Sequence, residues 1–111
     1  MPNNRRRGAN YEREVAHALR DLLGLDTRRG AQNGVKGGDD VQGWPGVRIE
    51  AKRRKSIALV RALEQAEADA KGGELPVVIA REDRGSSVLM IRLEDLPRLV
   101  EATPTPGASD V

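Results

Sequence analysis

Gly37-Gly38-Asp39-Asp40-Val41-Gln42-Gly43-Trp44-Pro45-Gly46-Val47-Arg48-Ile49-Glu50-Ala51-Lys52-Arg53-Arg54-Lys55 is the stretch on which the reading of this chain turns. It sets two adjacent carboxylates in a glycine-rich turn, then a short alternating run, then a burst of positive charge. In Val47–Lys52 the apolar residues fall at every second position, the period of a strand with one buried face. Arg48, Glu50 and Lys52 share the other face, with Glu50 and Lys52 about 7 Å apart at roughly 3.3 Å rise per residue. A carboxylate and an ammonium fixed on one strand, with a further carboxylate one turn away, suit the binding of a divalent cation and the activation of water.

Upstream of this stretch, residues 30–38 carry four glycines, with Gln32, Asn33 and Lys36 and no periodicity. That composition predicts a loop able to lie over a phosphate backbone. Leu25–Arg29 reads as a short first strand, Val41 begins a second, and Trp44-Pro45-Gly46 turns the chain into Val47–Lys52, with Trp44 capping the edge of the core. Asn10 is the expected N-cap of a first helix running to about Leu23 and ended by Gly24. Tyr11, Val15, Leu19, Leu22 and Leu23 fall in one arc of that helix, and Glu12 lies inside the arc while Glu14 lies outside it. A carboxylate on a buried face is costly unless something positive meets it. Glu12 therefore reads as a site residue, with an ion pair to Arg28 or Arg29 as the alternative. His17, the only histidine, falls on the opposite face and reads as a surface residue.

Downstream, Ser56 is the expected N-cap of a second helix reaching Lys71, before Gly72-Gly73. Its buried stripe is Leu59, Ala62, Leu63, Ala66 and Ala70, and Arg61, Gln65 and Ala68 form the other face, from which Gln65 could reach a substrate. Leu75–Ala80 is a continuous apolar run, hence a buried strand, and Ser87–Arg92 returns as its hairpin partner after a turn at Glu82-Asp83-Arg84-Gly85. A short last helix covers Glu94 to about Val100. Residues 1–8 read as a flexible basic arm, 9–101 as the domain and 102–111 as a disordered tail. The expected architecture is a single α/β domain of order α-β-β-β-α-β-β-α, with a mixed sheet of about five strands flanked by helices.

The 111 residues allow one domain with one core. Phe is absent and there is one Trp and one Tyr, so Leu, Val, Ile and Ala must fill that core. No apolar run approaches the roughly 20 residues that span a membrane, and no apolar segment follows the basic N-terminus, so a cytoplasmic location is expected. With no Cys, disulfides and thiolate metal sites are excluded. The net charge is only +2, but the basic residues cluster at Arg5-Arg6-Arg7 and Lys52-Arg53-Arg54-Lys55. Basic clusters beside a carboxylate site point to a phosphate-bearing partner. Candidate DNA contacts are Arg5, Arg6, Arg7, Arg28, Arg29, Lys36, Arg53, Arg54, Lys55 and Gln65. Glu12, Asp40, Glu50 and Lys52 together suit phosphodiester hydrolysis assisted by Mg²⁺, which takes hard oxygen ligands and keeps several waters.

Asp40 followed ten residues later by Glu50-Ala51-Lys52 at the end of an apolar strand resembles the signature of the PD-(D/E)xK nuclease superfamily, whose fold is restriction-endonuclease-like. The opening Gly8-Ala9-Asn10-Tyr11-Glu12-Arg13 is similar to the start of archaeal-type Holliday junction resolvases. These share a glycine four residues before the helical Glu, an Arg ending the first strand and a basic run after the motif lysine. The resemblance covers about residues 8–100. It implies that Glu12, Asp40 and Glu50 bind metal, that the Ala51 carbonyl is a further ligand and that Lys52 is the catalytic lysine. It further implies a two-fold homodimer that cuts two strands of a four-way DNA junction with Mg²⁺, with Mn²⁺ able to substitute, and without a small-molecule cofactor. Two features depart from that pattern. Asp39 stands where the family usually has Pro, and Gly30-Ala31-Gln32-Asn33 replaces a Gly-Ser step. The size suits a phage or bacterial protein, which for a phage means the host cytoplasm. The alternatives are another nuclease of the same fold, cutting flaps, nicks or linear duplex, and a non-catalytic basic nucleic-acid-binding module in which Asp40, Glu50 and Lys52 are an ordinary ion-pair network.

Overall fold

The alternation at Val47–Lys52 extends into an eight-residue strand, β3 (Val47–Arg54), and in the computed structural model β3 is the middle strand of a five-stranded sheet. The structure describes residues 4–30 and 40–104, with the backbone alone for residues 4–7. The sheet follows chain order: β1 (Arg28–Arg29), β2 (Val41–Gln42), β3, β4 (Leu75–Glu82) and β5 (Val88–Met90). β1, β2 and β3 pair antiparallel, β3 and β4 run parallel, and β5 returns antiparallel to β4. A parallel pair needs a crossover, here α2 (Leu59–Asp69). Helix α1 (Asn4–Leu23) precedes the sheet, and one 3₁₀ turn (Leu93–Asp95) leads into α3 (Leu96–Ala102). This mixed sheet with three helices is the α/β arrangement expected of a restriction-endonuclease-like domain.

The parallel register pairs Val47 with Leu75, Ile49 with Val77 and Ala51 with Ile79, so these residues share one face. Tyr11, Val15, Ala16 and Leu19 of α1 pack on that face, together with Trp44, whose indole N–H donates to the Ala102 carbonyl at 2.8 Å and ties α3 to the core. On the other face Ala62, Leu63 and Ala66 of α2 lie against Val78 and Ala80 of β4. The apolar cover ends at β4. Across the register, Glu50 stands beside Val78 and Lys52 beside Ala80, so the same face is apolar on β4 and ionic on β3. That boundary places the site.

Several local expectations shift. Helix α1 begins at Asn4, not after an Asn10 cap, so the backbone of Arg5, Arg6 and Arg7 is helical and the expected arm at 1–8 shrinks. Arg and Ala are good helix formers, and the single Gly8 costs only about 1 kcal/mol. Leu22, expected in the buried arc, is 75% exposed and lines an open hollow with Ile79 and Leu89. The first strand is only Arg28–Arg29; Leu25 is buried without pairing, and Thr27 turns its hydroxyl onto the Ala16 carbonyl at 2.6 Å. Helix α2 starts three residues after Ser56, with Ala58 at the N-cap and no side-chain cap, and ends at Asp69, not Lys71. Strand β5 is three residues long where six were expected. Helix α3 runs to Ala102, the first residue assigned to the tail. The glycine-rich loop with Lys36 and Asp39, and the tail from residue 105, lie outside the described residues.

Candidate active site

Glu50 is a carboxylate that the fold buries. Strand alternation sends it to the ionic half of the α2 face, and the neighbouring strands leave it 6% exposed. Arg48, two residues earlier on the same face and 3% exposed, places its Nε 3.8 Å from Glu50 Oε1. Arg48 also lies 3.8 Å from Glu74, at the entry to β4. At such distances the pair is an electrostatic contact and not a tight bidentate bridge. Burial and the adjacent Asp40 carboxylate push the Glu50 carboxyl up to about 7, with Lys52 and Arg48 pulling against them. Arg48 shares the face expected from the alternation, but its burial against Glu50 is a role that periodicity could not reveal.

Asp40 is held by backbone on two sides. Its N–H donates to the Ile49 carbonyl at 3.2 Å, and its carbonyl accepts from the Gly30 N–H at 2.9 Å. Its carboxylate Oδ2 accepts the Ala51 N–H at 2.9 Å, which fixes it against β3 between Glu50 and Lys52. The ten-residue spacing from Asp40 to Glu50 is therefore the length of the β2–turn–β3 hairpin. Gly43 within it has φ +110°, and a Cβ there would lie 2.3 Å from the Asp26 carbonyl oxygen, so only glycine fits.

Glu12 is tied elsewhere. Arg29 Nε donates to Glu12 Oε1 at 2.8 Å, the ion pair weighed as the alternative for this residue. Burial raises the Glu12 carboxyl from its ordinary range, the Arg29 hydrogen bond opposes this, and the charge of Asp40 raises it again. Asp40 thus influences both Glu12 and Glu50. Among the described residues, no three Asp, Glu or His side chains converge closely enough to hold a metal ion. The structure brings Asp40 and Glu50 together, with Lys52 on the same face, and leaves Glu12 against Arg29. Two carboxylates suffice for Mg²⁺ when substrate phosphate and water complete the shell, and Asp40 and Glu50 are the pair that the structure brings together.

The basic run after Lys52 is divided by the same alternation. Lys52 and Arg54 line an open cleft of about 340 Å³ on the α2 side, together with Ser56, Arg61 and Gln65. Arg53 leaves on the other face, 4.0 Å from Asp83. Lys55 lies in a separate hollow with Arg84, beside Glu82 and Asp83. Gln65 does reach the cleft, and its amide nitrogen contacts Asp69 at 3.2 and 3.3 Å. Arg28 is exposed on β1. His17 is exposed and lies 3.2 Å from Asp21. Among the described residues no helix is long and apolar enough to cross a membrane.

A family model described as "Phage putative PDDEXK endonuclease" matches residues 3–106. No curated protein and no solved structure matches the chain.

Proposed function

Because the chain belongs to the phage putative PDDEXK endonuclease family, a nuclease family of the PD-(D/E)xK type, we propose that it is a Mg²⁺-dependent, structure-selective DNA endonuclease. On this reading a homodimer, working in the host cytoplasm, resolves four-way junctions by paired phosphodiester cuts. The observation that carries the chemistry is the Asp40–Glu50 pair, locked by the Ala51 N–H and followed on the same strand face by Lys52. Two carboxylates pressed together in a buried place cost stability, and a bound divalent cation would offset that cost. The junction preference rests on the resemblance at Gly8–Arg13 and on the basic cleft, and the dimer on the two-fold symmetry of the substrate.

Asp40, Glu50 and the Ala51 carbonyl would hold Mg²⁺, and Mn²⁺ would suit the same oxygen donors. When bound, the cation draws charge from the scissile phosphate and makes a water easier to deprotonate. Lys52 orients the attacking water and meets the charge that grows on the phosphate oxygens. Water oxygen bonds to phosphorus as the bond to the leaving oxygen breaks, and that oxygen takes up a proton. Glu12, held by Arg29 within the field of Asp40, supports the carboxylate cluster from α1.

The test is cleavage of a labelled four-way junction against linear duplex of the same sequence in Mg²⁺, Mn²⁺, Ca²⁺ and EDTA. Paired symmetric cuts near the crossover, lost in Asp40→Asn, Glu50→Gln and Lys52→Ala, are expected. Equal cutting of linear or flapped DNA would leave a nuclease and remove the resolvase. Tight binding without cutting under any metal would remove the enzyme and leave a basic DNA-binding module.

A further inference from the structure

The cations of this domain are unevenly partnered. Arg29, Arg48, Arg53, Arg81, Arg92 and Arg98 each lie within 4.0 Å of a carboxylate oxygen. Lys52, Arg54 and Arg61 have no such partner among the described residues, and all three line the cleft on the α2 side, whose walls include no acidic residue. Lys52 and Arg54 come from alternate positions of β3, about 7 Å apart at roughly 3.3 Å per residue. Arg61 comes from the opposite wall, one helical turn before Gln65 and therefore on the same face of α2. Its neighbour Ala62 is buried against the sheet and fixes that turn of the helix. On the other face of the sheet the arginines are already neutralised, Arg53 by Asp83 and Arg81 by Glu14 at 3.1 Å.

Three cations around one open cleft whose lining holds no carboxylate, with Glu50 acting on Lys52 from beside it, repel one another and are balanced by an anion. Guanidinium groups on two walls suit a phosphate, whose oxygens accept paired N–H donors. We propose that Arg61, together with Arg54, holds the phosphodiester next to the one that is cut, so that the bound strand leaves the catalytic carboxylates along the α2 side. The proposal rests on the nuclease reading for the location of the cut, but the phosphate site itself stands on the cleft. Arg61 then touches the substrate without taking part in bond breaking.

The experiment measures binding of a fluorescein-labelled four-way junction to the full chain across a KCl series in Ca²⁺, for wild type, Arg61→Ala, Arg61→Lys and Arg84→Ala. Arg84 lies in the β4–β5 turn outside the cleft and serves as control. A lost phosphate contact lowers the slope of log K against log salt by about 0.9. Arg61→Ala is expected to show that change with roughly tenfold weaker binding, Arg61→Lys to keep the slope with part of the affinity, and Arg84→Ala to match wild type. In cleavage, Arg61→Ala raises KM and leaves kcat within a few-fold. An Arg61→Ala slope equal to wild type, or an equal change in Arg84→Ala, overturns the proposal. If the wild type cuts no DNA while Arg61→Ala still loses the slope, the phosphate site stands and the nuclease reading fails. If the wild type cuts and Arg61→Ala has unchanged slope and KM, the reverse holds.

Discussion

Asp40 and Glu50 carry opposite demands on one pair of residues. Folding buries Glu50, and the proposed catalysis needs it ionised beside a second carboxylate. An unfolded Glu titrates near 4.5, whereas Glu50 in the fold titrates at about 7. Between those values the folded chain binds more protons than the unfolded one, so stability falls as pH rises through that window and stays low above it. In EDTA, Glu50→Gln removes this dependence and is expected to be more stable than wild type at pH 8, by at most about 3 kcal/mol at 1.36 kcal/mol per pKa unit, and near-equal at pH 5. Thermal melts at the two pH values check it, and equal pH dependence of the two proteins would sink the assignment. Glu12 belongs to a different class because its carboxylate is already satisfied by Arg29. Glu12→Gln is expected to slow junction cleavage 10–100-fold, the usual effect of a supporting partner. Asp40→Asn is expected to slow it far more, and a loss as complete in Glu12→Gln would make Glu12 a direct ligand.

At the scale of elements, the hairpin that carries Asp40 to Glu50 depends on Gly43. An alanine there adds left-handed strain of about 1–2 kcal/mol and drives its Cβ into the Asp26 carbonyl. Gly46 has φ +78° but open space around a Cβ, so Gly46→Ala pays only the strain. The expected ranking is Gly43→Ala costing more than about 3 kcal/mol, a fall of over 10 °C in Tm for a domain this size, against about 1–2 kcal/mol for Gly46→Ala. Equal melting points for the two would show that the hairpin relaxes around position 43. These elements also show what the amino-acid sequence makes legible. Alternation at Val47–Lys52, the apolar run Leu75–Ala80 and the alanine stripe of α2 announce themselves, because burial of one face imposes a period. The first strand is legible at Leu25–Arg29 but its bounds are not, since only Arg28 and Arg29 pair, with Gln42 and Val41. The α2 start also misleads: Ser56 is a good cap by type, but β3 overruns to Arg54 and leaves the chain no room to turn before Ala58. The residue types at Asp40, Glu50 and Lys52 were readable from spacing, whereas the burial of Arg48 and the company of Arg61 emerge only when α2 is laid beside β3.

For the whole molecule, these effects combine through a small core. A chain of 111 residues without Phe has a stability of the order of 5–15 kcal/mol, so a repulsive carboxylate pair is a noticeable fraction of it. A cation that binds only the folded site adds RT ln(1 + [L]/Kd), about 2.7 kcal/mol at 100 times Kd, or roughly 10–20 °C in Tm. Protons compete for the same oxygens. Because Glu50 titrates at about 7, the cation meets a ready carboxylate at pH 8 but must displace a proton at pH 6, which weakens binding by about tenfold per unit below 7. At one fixed Mg²⁺ concentration the Tm increase over EDTA is therefore expected to be larger at pH 8 than at pH 6, and to be absent in the Asp40→Asn, Glu50→Gln double variant at both. An increase of equal size at the two pH values, or one that survives in the double variant, would place the cation away from this pair. The melt needs no substrate and no turnover, so it tests the metal site separately from the choice of DNA.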